Sequence, residues 1–600
     1  MPATKASSQA PVHTQEGNFE IMESYRVRTR VRAFAATRAS CIKPGVRGAH
    51  EARDTRLSPI GHGLDGLPWS AAAPIIVPIG FVFMDVTMRV NMPQSRRFTA
   101  SARKSSLATL KPLLLALVVT ASLGACAVGP EFRSPSLQAE AGYRADALPG
   151  QTAAADGPTG DAQAFLQDSE VPRQWWMLFG NDELNRRVEQ ALANSPTIAS
   201  AQAALRQAQA QAGAARGGLW PSLDASLGAN RRSDSVAAGA VSDSPYTLHN
   251  ASVEIGYNLD LFGGVRRGIE AENAVAQWRE HQLDGTYLSL AANVVTTSIR
   301  EASLRAQIHA TEEIVGVYAM QFDMISRDFD AGARAIGDVQ TAQSQVATAN
   351  AQLPTLRKAL HATQTQLATY LGRFPSEAEL EALELDALKL PTDIPVSLPS
   401  NLVRQRPDVR AAEAQLHEAT ARLGVATANR FPNISLSASL GSQSLQAGDL
   451  FGNSAAAWGL GLNLLQPIFR GGSLRAQQKA AEAGMDKAAA DYRSTVLGAF
   501  QDVADSLRAL ELDAQSLAAQ SNAQEATSSS LELTRKQFDD GSVALLQVLD
   551  ATRQYQQARL GVIEARATRL ADTAALFTAL GGGFGEADAR AQANPDPASP

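Results

Sequence analysis

Between residues 182 and 583 the chain alternates two patterns. Residues 182–218 are rich in Ala and Gln and predict a helix. Over 250–262 apolar and polar positions then alternate. Val253, Ile255, Tyr257, Leu259 and Leu261 fall on one face, with Glu254, Asn258 and Asp260 on the other. A period of two marks a strand with one apolar face, and 219–230 reads as its partner. From about 264 to 327 no proline occurs and helix formers dominate. That predicts a helix of roughly 96 Å at 1.5 Å per residue. Gly332 interrupts the pattern, and a second helix is predicted from about 338 to 371.

The same succession then returns. A helix is expected over 405–429, strands over 431–442 and 456–468, and a long helix over 473–537. A turn at Gly541 leads to a last helix ending before Gly581. Ile434, Leu436, Ala438 and Leu440 oppose Ser435, Ser437 and Ser439. Trp458, Leu460, Leu462 and Leu464 oppose Gly459, Gly461 and Asn463. Residue matches underlie the pattern. Pro196 matches Pro407, Leu205 matches Leu416, and Trp220-Pro221 matches Phe431-Pro432, all at an offset of 211. Phe329 and Gly332 match Phe538 and Gly541, and Leu371-Gly372 matches Leu580-Gly581, at an offset of 209. Such spacing predicts a duplicated unit, residues 182–372 and 401–583. A Pro-rich, acidic equatorial linker at 373–400 joins the two.

Strands of about ten residues, apolar on one face and small or polar on the other, are the pattern of a transmembrane β-barrel. Four strands cannot close, and open edges are not tolerated in lipid. A symmetric oligomer is therefore expected, and a homotrimer would give twelve strands. The expected fold class is α+β, mainly α: a trimeric transmembrane β-barrel, four strands per chain, continuous with a long α-helical barrel. A solid coiled coil would need bulky apolar residues throughout its seam, whereas Ala, Gln and Ser are frequent here. The helices are thus expected to wall a wet tube.

Composition sharpens this. Six hundred residues exceed one ordinary core, and 6% aromatics with 19% charged residues is poor material for a large globule. No stretch reaches the roughly 18 consecutive apolar residues of a spanning helix. The net charge of −6 divides unevenly. Residues 1–125 hold 16 Lys and Arg against 7 Asp and Glu, a net of +9, which leaves −15 on 126–600. An acidic body argues against nucleic acid as a partner, because counterion release needs Lys and Arg.

The basic excess precedes Cys126. Arg96, Arg97, Arg103, Lys104 and Lys111 lead into the apolar run Leu113–Val119, which closes on Leu-Gly-Ala-Cys at 123–126. Basic, short apolar and small-residue regions in that order describe a signal peptide, here residues 92–125. The ending resembles a bacterial lipobox, which implies cleavage before Cys126, a lipid on its sulfur and residence in outer-membrane lipid. Residues 126–181 would then be the lipidated N-terminal segment. Because the signal begins so late, 1–91 reads as a non-native extension, with Met92 or Met88 as the start. The only other cysteine is Cys41, so no disulfide framework is expected. Residues 584–600 are expected to be a disordered tail.

Several short motifs carry a family resemblance. They are Cys-Ala-Val-Gly-Pro at 126–130, Trp175-Trp176 with Phe179, and Arg-Pro-Asp-Val-Arg-Ala-Ala-Glu-Ala-Gln-Leu at 406–416. Arg430-Phe431-Pro432, Gln466-Pro467-Ile468-Phe469 with Gly471-Gly472, and Val-Leu-Asp-Ala at 548–551 complete them. In that order the sequence resembles the TolC-like outer membrane efflux protein family, in its lipoprotein (NodT-type) branch paired with resistance–nodulation–division pumps. The resemblance covers about 126–583. It implies a trimer with a twelve-stranded outer-membrane β-barrel and a long periplasmic α-helical barrel, working with a periplasmic adaptor (membrane fusion) protein and an inner-membrane resistance–nodulation–division transporter.

No catalytic constellation is legible: there is no HExxH, no CxxC and no phosphate-cradling glycine loop. The chain is expected to be no enzyme and to need no cofactor beyond the lipid on Cys126. Function should lie in gating and docking. The resemblance sets Asp550 at the acidic position around the periplasmic aperture, where three copies would form a ring that attracts cations. The alternative is a solvated carboxylate paired with Arg553 three residues on. Family members often carry a second acid one turn earlier, where this chain has Gln547. Gly332 and Gly541 are expected to supply positive φ in the turns, and the resemblance places adaptor contacts beside them. Asp338 is expected to serve the helix dipole or cap. Asp408 is expected to cap a helix start, and Trp175 and Trp176 to anchor packing. The leading expectation is a passive exit duct for small toxic compounds. A conduit for protein or polysaccharide secretion and a non-conducting, envelope-spanning structural protein are the alternatives.

Overall fold

The computed structural model describes residues 127–135, 142–144, 146–233, 244–377, 380–397, 399–452 and 455–583. The chain divides into two units, 1–102 and 103–600, and every described residue belongs to the second. The expected extension at 1–91, the signal peptide at 92–125, the lipidation site Cys126 and the tail at 584–600 lie outside the described residues.

The first described elements are a short strand β1 (Ala164–Gln167) and a 3-10 turn (Trp175–Phe179). Helices α1 (Asp182–Asn194) and α2 (Pro196–Gly217) follow, then strands β2 (Ser222–Arg232) and β3 (Tyr246–Leu259). Next come α3 (Gly264–Asp330), α4 (Ile336–Tyr370), β4 (Asp393–Val396), α5 (Pro399–Gln405) and α6 (Pro407–Ala428). The chain continues through β5 (Asn433–Ser444), β6 (Ala456–Leu465), α7 (Ser473–Asp539) and α8 (Leu545–Ala579). Both α3 and α7 run 67 residues, and α4 and α8 each run 35. At 1.5 Å per residue the long helices measure about 100 Å.

One expectation about these elements is corrected. The helix expected over 182–218 is two helices. Ser195 is extended (φ −66°, ψ 122°), and Pro196 restarts the helix at its first position, where a missing N–H costs nothing. The four expected strands form one sheet, and two further strands that were not expected lie outside it. The additional pair, β1 and β4, forms a parallel two-stranded sheet, Phe165 beside Ile394. It joins the 126–181 segment to the linker at 373–400. Four-residue strands are too short to register as an alternating pattern.

The main sheet is antiparallel in the order β2-β3-β5-β6. Leu227 faces Ala251 across β2–β3, Ile255 faces Ala438 across β3–β5, and Ala438 faces Leu460 across β5–β6. The halves of the chain therefore meet at β3–β5.

The principal core lies midway along the long helices. There Trp175, Phe179, Leu184 and Val188 pack with Val294 and Ile299 of α3, Val503 and Leu507 of α7, and Leu570 and Phe577 of α8. Trp175 is fully buried, 5.8 Å from Phe577 and 6.4 Å from Phe179, a packing anchor as expected. Buried charge ties this girdle to the helices. The guanidinium of Arg187 on α1 donates to Glu301 Oε2 on α3 (2.7 Å), to Glu183 (2.8 Å) and to the carbonyl of Glu381. Arg569 of α8 donates to the carbonyls of Thr159 and Asp161, each 2.8 Å away, and so holds the loop before β1.

At the sheet end, residues 127–135 run along α3 and α6. The N–H of Val128 donates to Phe262 O (3.1 Å), and Phe132 stacks on His417 at 4.4 Å. Gly129 (φ +101°) passes so close to Gly424 that a Cβ would stand 2.6 Å from the Gly424 Cα.

Candidate functional site

Two regions of the molecule are not spent on its own core: the sheet and the ends of the two helical hairpins. In the sheet, Leu227, Leu440, Trp458, Leu460, Leu462 and Leu464 point to one side, and Leu227 and Trp458 remain 78% and 82% exposed. The opposite face carries Asp224, Ser226, Glu254, Ser439 and Asn463, with Asp224 directly facing Glu254. A broad leucine face left in water would mark a lipid or protein contact. Among the described residues no helix is long and apolar enough to cross a membrane.

At the far end of the helices, each hairpin turns on a left-handed glycine, Gly332 (φ +77°) and Gly541 (φ +72°). The N–H of Gly332 donates to Phe329 O and that of Ala333 to Asp328 O. The N–H of Gly541 donates to Phe538 O and that of Ser542 to Gln537 O. These are glycine-terminated helix caps that satisfy carbonyls the helix leaves open. Beneath the turns a second core joins Ile314, Tyr318 and Ile325 of α3, Ala342 and Ala349 of α4, and Leu545 and Leu549 of α8. Arg334 lies over the Phe538 ring at 5.1 Å and so links one turn to the other hairpin. Arg357 of α4 pairs with Glu312 of α3 at 2.8 Å, and Arg559 of α8 pairs with Glu313.

Asp550 stands on the exposed side of α8, in its second turn. Its Oδ1 accepts from Arg553 Nη2 (2.5 Å) and its Oδ2 from Gln554 Nε2 (2.7 Å). The Arg553 hydrogen bond, seconded by Gln554, holds this carboxyl below its ordinary range. The local ion pair weighed as an alternative from the sequence is thus present, on a carboxylate that stays charged and open to solvent. Gln547 folds back on the helix start, its Oε1 accepting from the Ala544 N–H at 3.0 Å. It is a capping group there and does not extend an acidic surface.

Asp338 is the third residue of α4, and its own N–H donates to Ala335 O (3.0 Å). Ala335 occupies the cap position, so Asp338 serves the dipole of the first turn and is not the cap. Asp408 does serve its helix start, its Oδ1 accepting from the Val409 N–H at 2.9 Å, but it is not the cap residue itself. Arg406 holds the cap position, and Asp408 accepts from its guanidinium at 2.7 and 3.0 Å.

The sequence reading missed Tyr318 and Arg334. Tyr318 is 2% exposed, and its hydroxyl lies near Asp550 and Arg553 without a protein hydrogen-bond partner. Burial pushes that hydroxyl's pKa up. A signal for both was available, because the residues 209 positions on are Thr527 and Val543. Neither repeats the chemistry.

The model of the family "Outer membrane efflux protein" matches the chain twice, over residues 188–373 and 398–582. The chain belongs to this family. Within the outer membrane efflux protein family it is similar to the pyoverdine export outer membrane protein OpmQ of Pseudomonas aeruginosa. The two are 33% identical over 428 residues, which cover 70% of this chain and 90% of that protein. It is also similar to the probable outer membrane lipoprotein SilC of Salmonella typhimurium, 28% identical over 69% of this chain and 88% of that one. Among solved structures, the outer-membrane channel OprN superimposes with a TM-score of 0.68 at 26% identity. That match covers 76% of this chain and all of OprN. The matched stretches hold both hairpin turns, Asp550 and all four strands of the main sheet. The efflux-family fold therefore includes both exposed regions described above.

Proposed function

We propose that this efflux-family chain is the outer-membrane exit duct of a tripartite pump, with three copies closing a twelve-stranded barrel around a common axis. The observation that carries the reading is the main sheet. It has four strands, an exposed leucine face and two free edges, and it is continuous with helices of about 100 Å. Lipid would accept the leucines but not the edges, and closure on further copies removes the edges. The sheet then spans the outer membrane, the helices extend into the periplasm, and the turns at Gly332 and Gly541 form the periplasmic mouth.

Residue by residue, Asp550 sets a negative ring at that mouth, Arg553 orients its carboxylate, and Gln547 caps the helix that carries it. The turns beside Gly332, Asp338 and Gly541 meet the periplasmic adaptor, through which a resistance–nodulation–division transporter supplies energy and selects cargo. A lipid on Cys126 is supported by the leader sequence and by the name of SilC. It is supported also by Ala127, which lies against Gly263 where β3 passes into α3. Acyl chains attached there would enter the membrane level with the sheet. Small toxic compounds are the proposed cargo; OpmQ is named for export of one small molecule, pyoverdine. The test is conductance of the purified protein in planar bilayers, together with a toxicity panel on a deletion strain. A non-conducting protein, or a deletion that impairs secretion without altering sensitivity to toxic compounds, would overturn the reading.

A further inference from the structure

The parallel strands β1 and β4 end side by side, with Gln167 beside Val396. Past their last residues opens a cavity of about 260 Å³. Leu148, Val396 and Leu507 of α7 give it an apolar lining, and Tyr143, Asp168 and Ser397 a polar one. It belongs to the girdle and not to the main sheet or the hairpin turns, so passage of cargo through a duct leaves it unused.

Three features of its polar side are not explained by the fold. Ser397 is 3% exposed, and among the described residues its Oγ has no hydrogen-bond partner. A buried hydroxyl without a partner lowers stability, and folds keep few of them. Asp168 sits in the left-handed region at φ +61°, held by its N–H, which donates to Val396 O at 3.0 Å. Glycine would take that conformation freely, whereas a side chain there stores strain of the kind found at ligand clamps. Charge is the third feature. Arg144, which also borders the cavity, is spent on Asp146 at 2.8 Å and on Glu511, while Asp168 has no ion pair among the described residues. Tyr143 donates its hydroxyl to Ser397 O at 3.0 Å, and burial pushes its pKa up to about 12, so it adds no charge. The cavity therefore presents one open carboxylate, one free hydroxyl and an apolar wall.

We infer that this cavity binds a small amphiphilic cation. Its ammonium pairs with Asp168, its apolar body lies against Leu148, Val396 and Leu507, and its hydroxyl bonds Ser397 Oγ. An anion is disfavoured, because the neighbouring guanidinium already holds two carboxylates and Asp168 would repel it. A metal ion would need more ligands, and no group of three His, Cys, Asp or Glu able to hold one occurs among the described residues. Water could reach Ser397, but it would leave the apolar wall wet and the strain at Asp168 unexplained. Pockets for drug-sized ligands start at about 300 Å³, so the occupant is smaller, a single ring with a short amine chain. An occupant would touch Leu507 of α7 and Leu148 of the segment before β1, and so tie one to the other.

The test is calorimetric titration of the detergent-purified full-length protein with tyramine, which carries ring, hydroxyl and ammonium together. Micelles without protein serve as the blank. Tyramine should saturate the protein, para-ethylphenol should bind roughly tenfold more weakly, and para-hydroxyphenylpropionate should give no heat. Asp168→Asn keeps the left-handed backbone, which asparagine tolerates, and removes the charge. It should weaken tyramine roughly tenfold and erase its preference over para-ethylphenol. Ser397→Ala should weaken tyramine about fivefold, with a urea midpoint unchanged or raised, because the hydroxyl it removes had no partner. A structural hydroxyl would instead lower the midpoint, and that result overturns the site. So does a wild-type protein that millimolar tyramine fails to saturate, equal affinity for tyramine and para-ethylphenol, or an Asp168→Asn protein that binds tyramine as before.

Discussion

Glu301→Gln should loosen the girdle that encircles the middle of the long helices. Glu301 is fully buried on α3, with Oε2 accepting from Arg187 Nη1 at 2.7 Å and Oε1 from Arg305 at 2.8 and 2.9 Å. The substitution keeps the shape and removes the charge. Arg305 is 27% exposed and can turn to water, but Arg187 is 2% exposed and cannot. Breaking one side of a buried pair costs about 3–5 kcal/mol, because the remaining charge stays dehydrated. Glu183 still holds the Arg187 Nε at 2.8 Å, which places the expected loss near the lower end, about 3 kcal/mol. That is roughly a 150-fold shift in the unfolding equilibrium. Urea titration of the detergent-purified protein, followed by tryptophan fluorescence, reads it directly, since Trp175 and Trp176 sit in the same girdle. The double variant Arg187→Met/Glu301→Leu should recover most of the loss, because an apolar pair carries no dehydration penalty. An unchanged midpoint for Glu301→Gln, or a double variant no better than the single, would refute the reasoning.

Other perturbations separate passage from stability. Asp550→Ala should raise single-channel conductance and weaken block by divalent cations in bilayer recordings, with the urea midpoint nearly unmoved; unchanged conductance and block would remove Asp550 from the gate. Gly541→Ala forces a side chain onto φ +72° in open space, so its cost is conformational, about 1–2 kcal/mol in the same titration. Burial, seconded by the neighbouring Asp572 carboxyl, pushes the Asp513 carboxyl from 3.8 up to about 7, against the pull of Arg569. The native state thus holds a proton that the unfolded chain releases. The resulting stability is complete below about pH 4 and lost as pH rises through 7, and Asp513→Asn should flatten that slope in midpoints measured from pH 4 to 8.

Much of the fold was legible because its signals are long. Proline-free stretches of some 60 residues and ten-residue alternations outweigh local noise, so α3, α7 and the main sheet were readable from periodicity alone. The break at Ser195 was marked by Pro196, yet Ala and Gln on both sides made one helix the simpler reading. The parallel pair β1–β4 was not legible. Its strands lie more than two hundred residues apart and are four residues long. Buried charge was likewise invisible, because nothing in the local sequence of Arg187, Glu301 or Arg569 distinguishes it from a solvated helix residue. At the hairpin ends the glycines spoke plainly, since few other residues tolerate φ near +75°. The partners of Tyr318 and Arg334 depend on how two hairpins pack, and no spacing encodes that.

Comparing the halves locates function more sharply than either half alone. Where counterparts agree, they serve architecture: Pro196 and Pro407 start helices, Gly263 and Gly472 precede the long ones, and Gly332 and Gly541 turn the hairpins. At the hairpin ends several counterparts differ. Asp550 and Arg553 answer to Thr341 and Ser344, Tyr318 to Thr527, Arg334 to Val543, and the capping Gln547 to Asp338. Asp550 has no acidic counterpart on α4, although both turns carry an exposed carboxylate at the matching positions Asp330 and Asp539. The Arg334–Phe538 contact joins the two hairpins at 5.1 Å, and it has no counterpart pair in the other half, where Val543 and Phe329 stand.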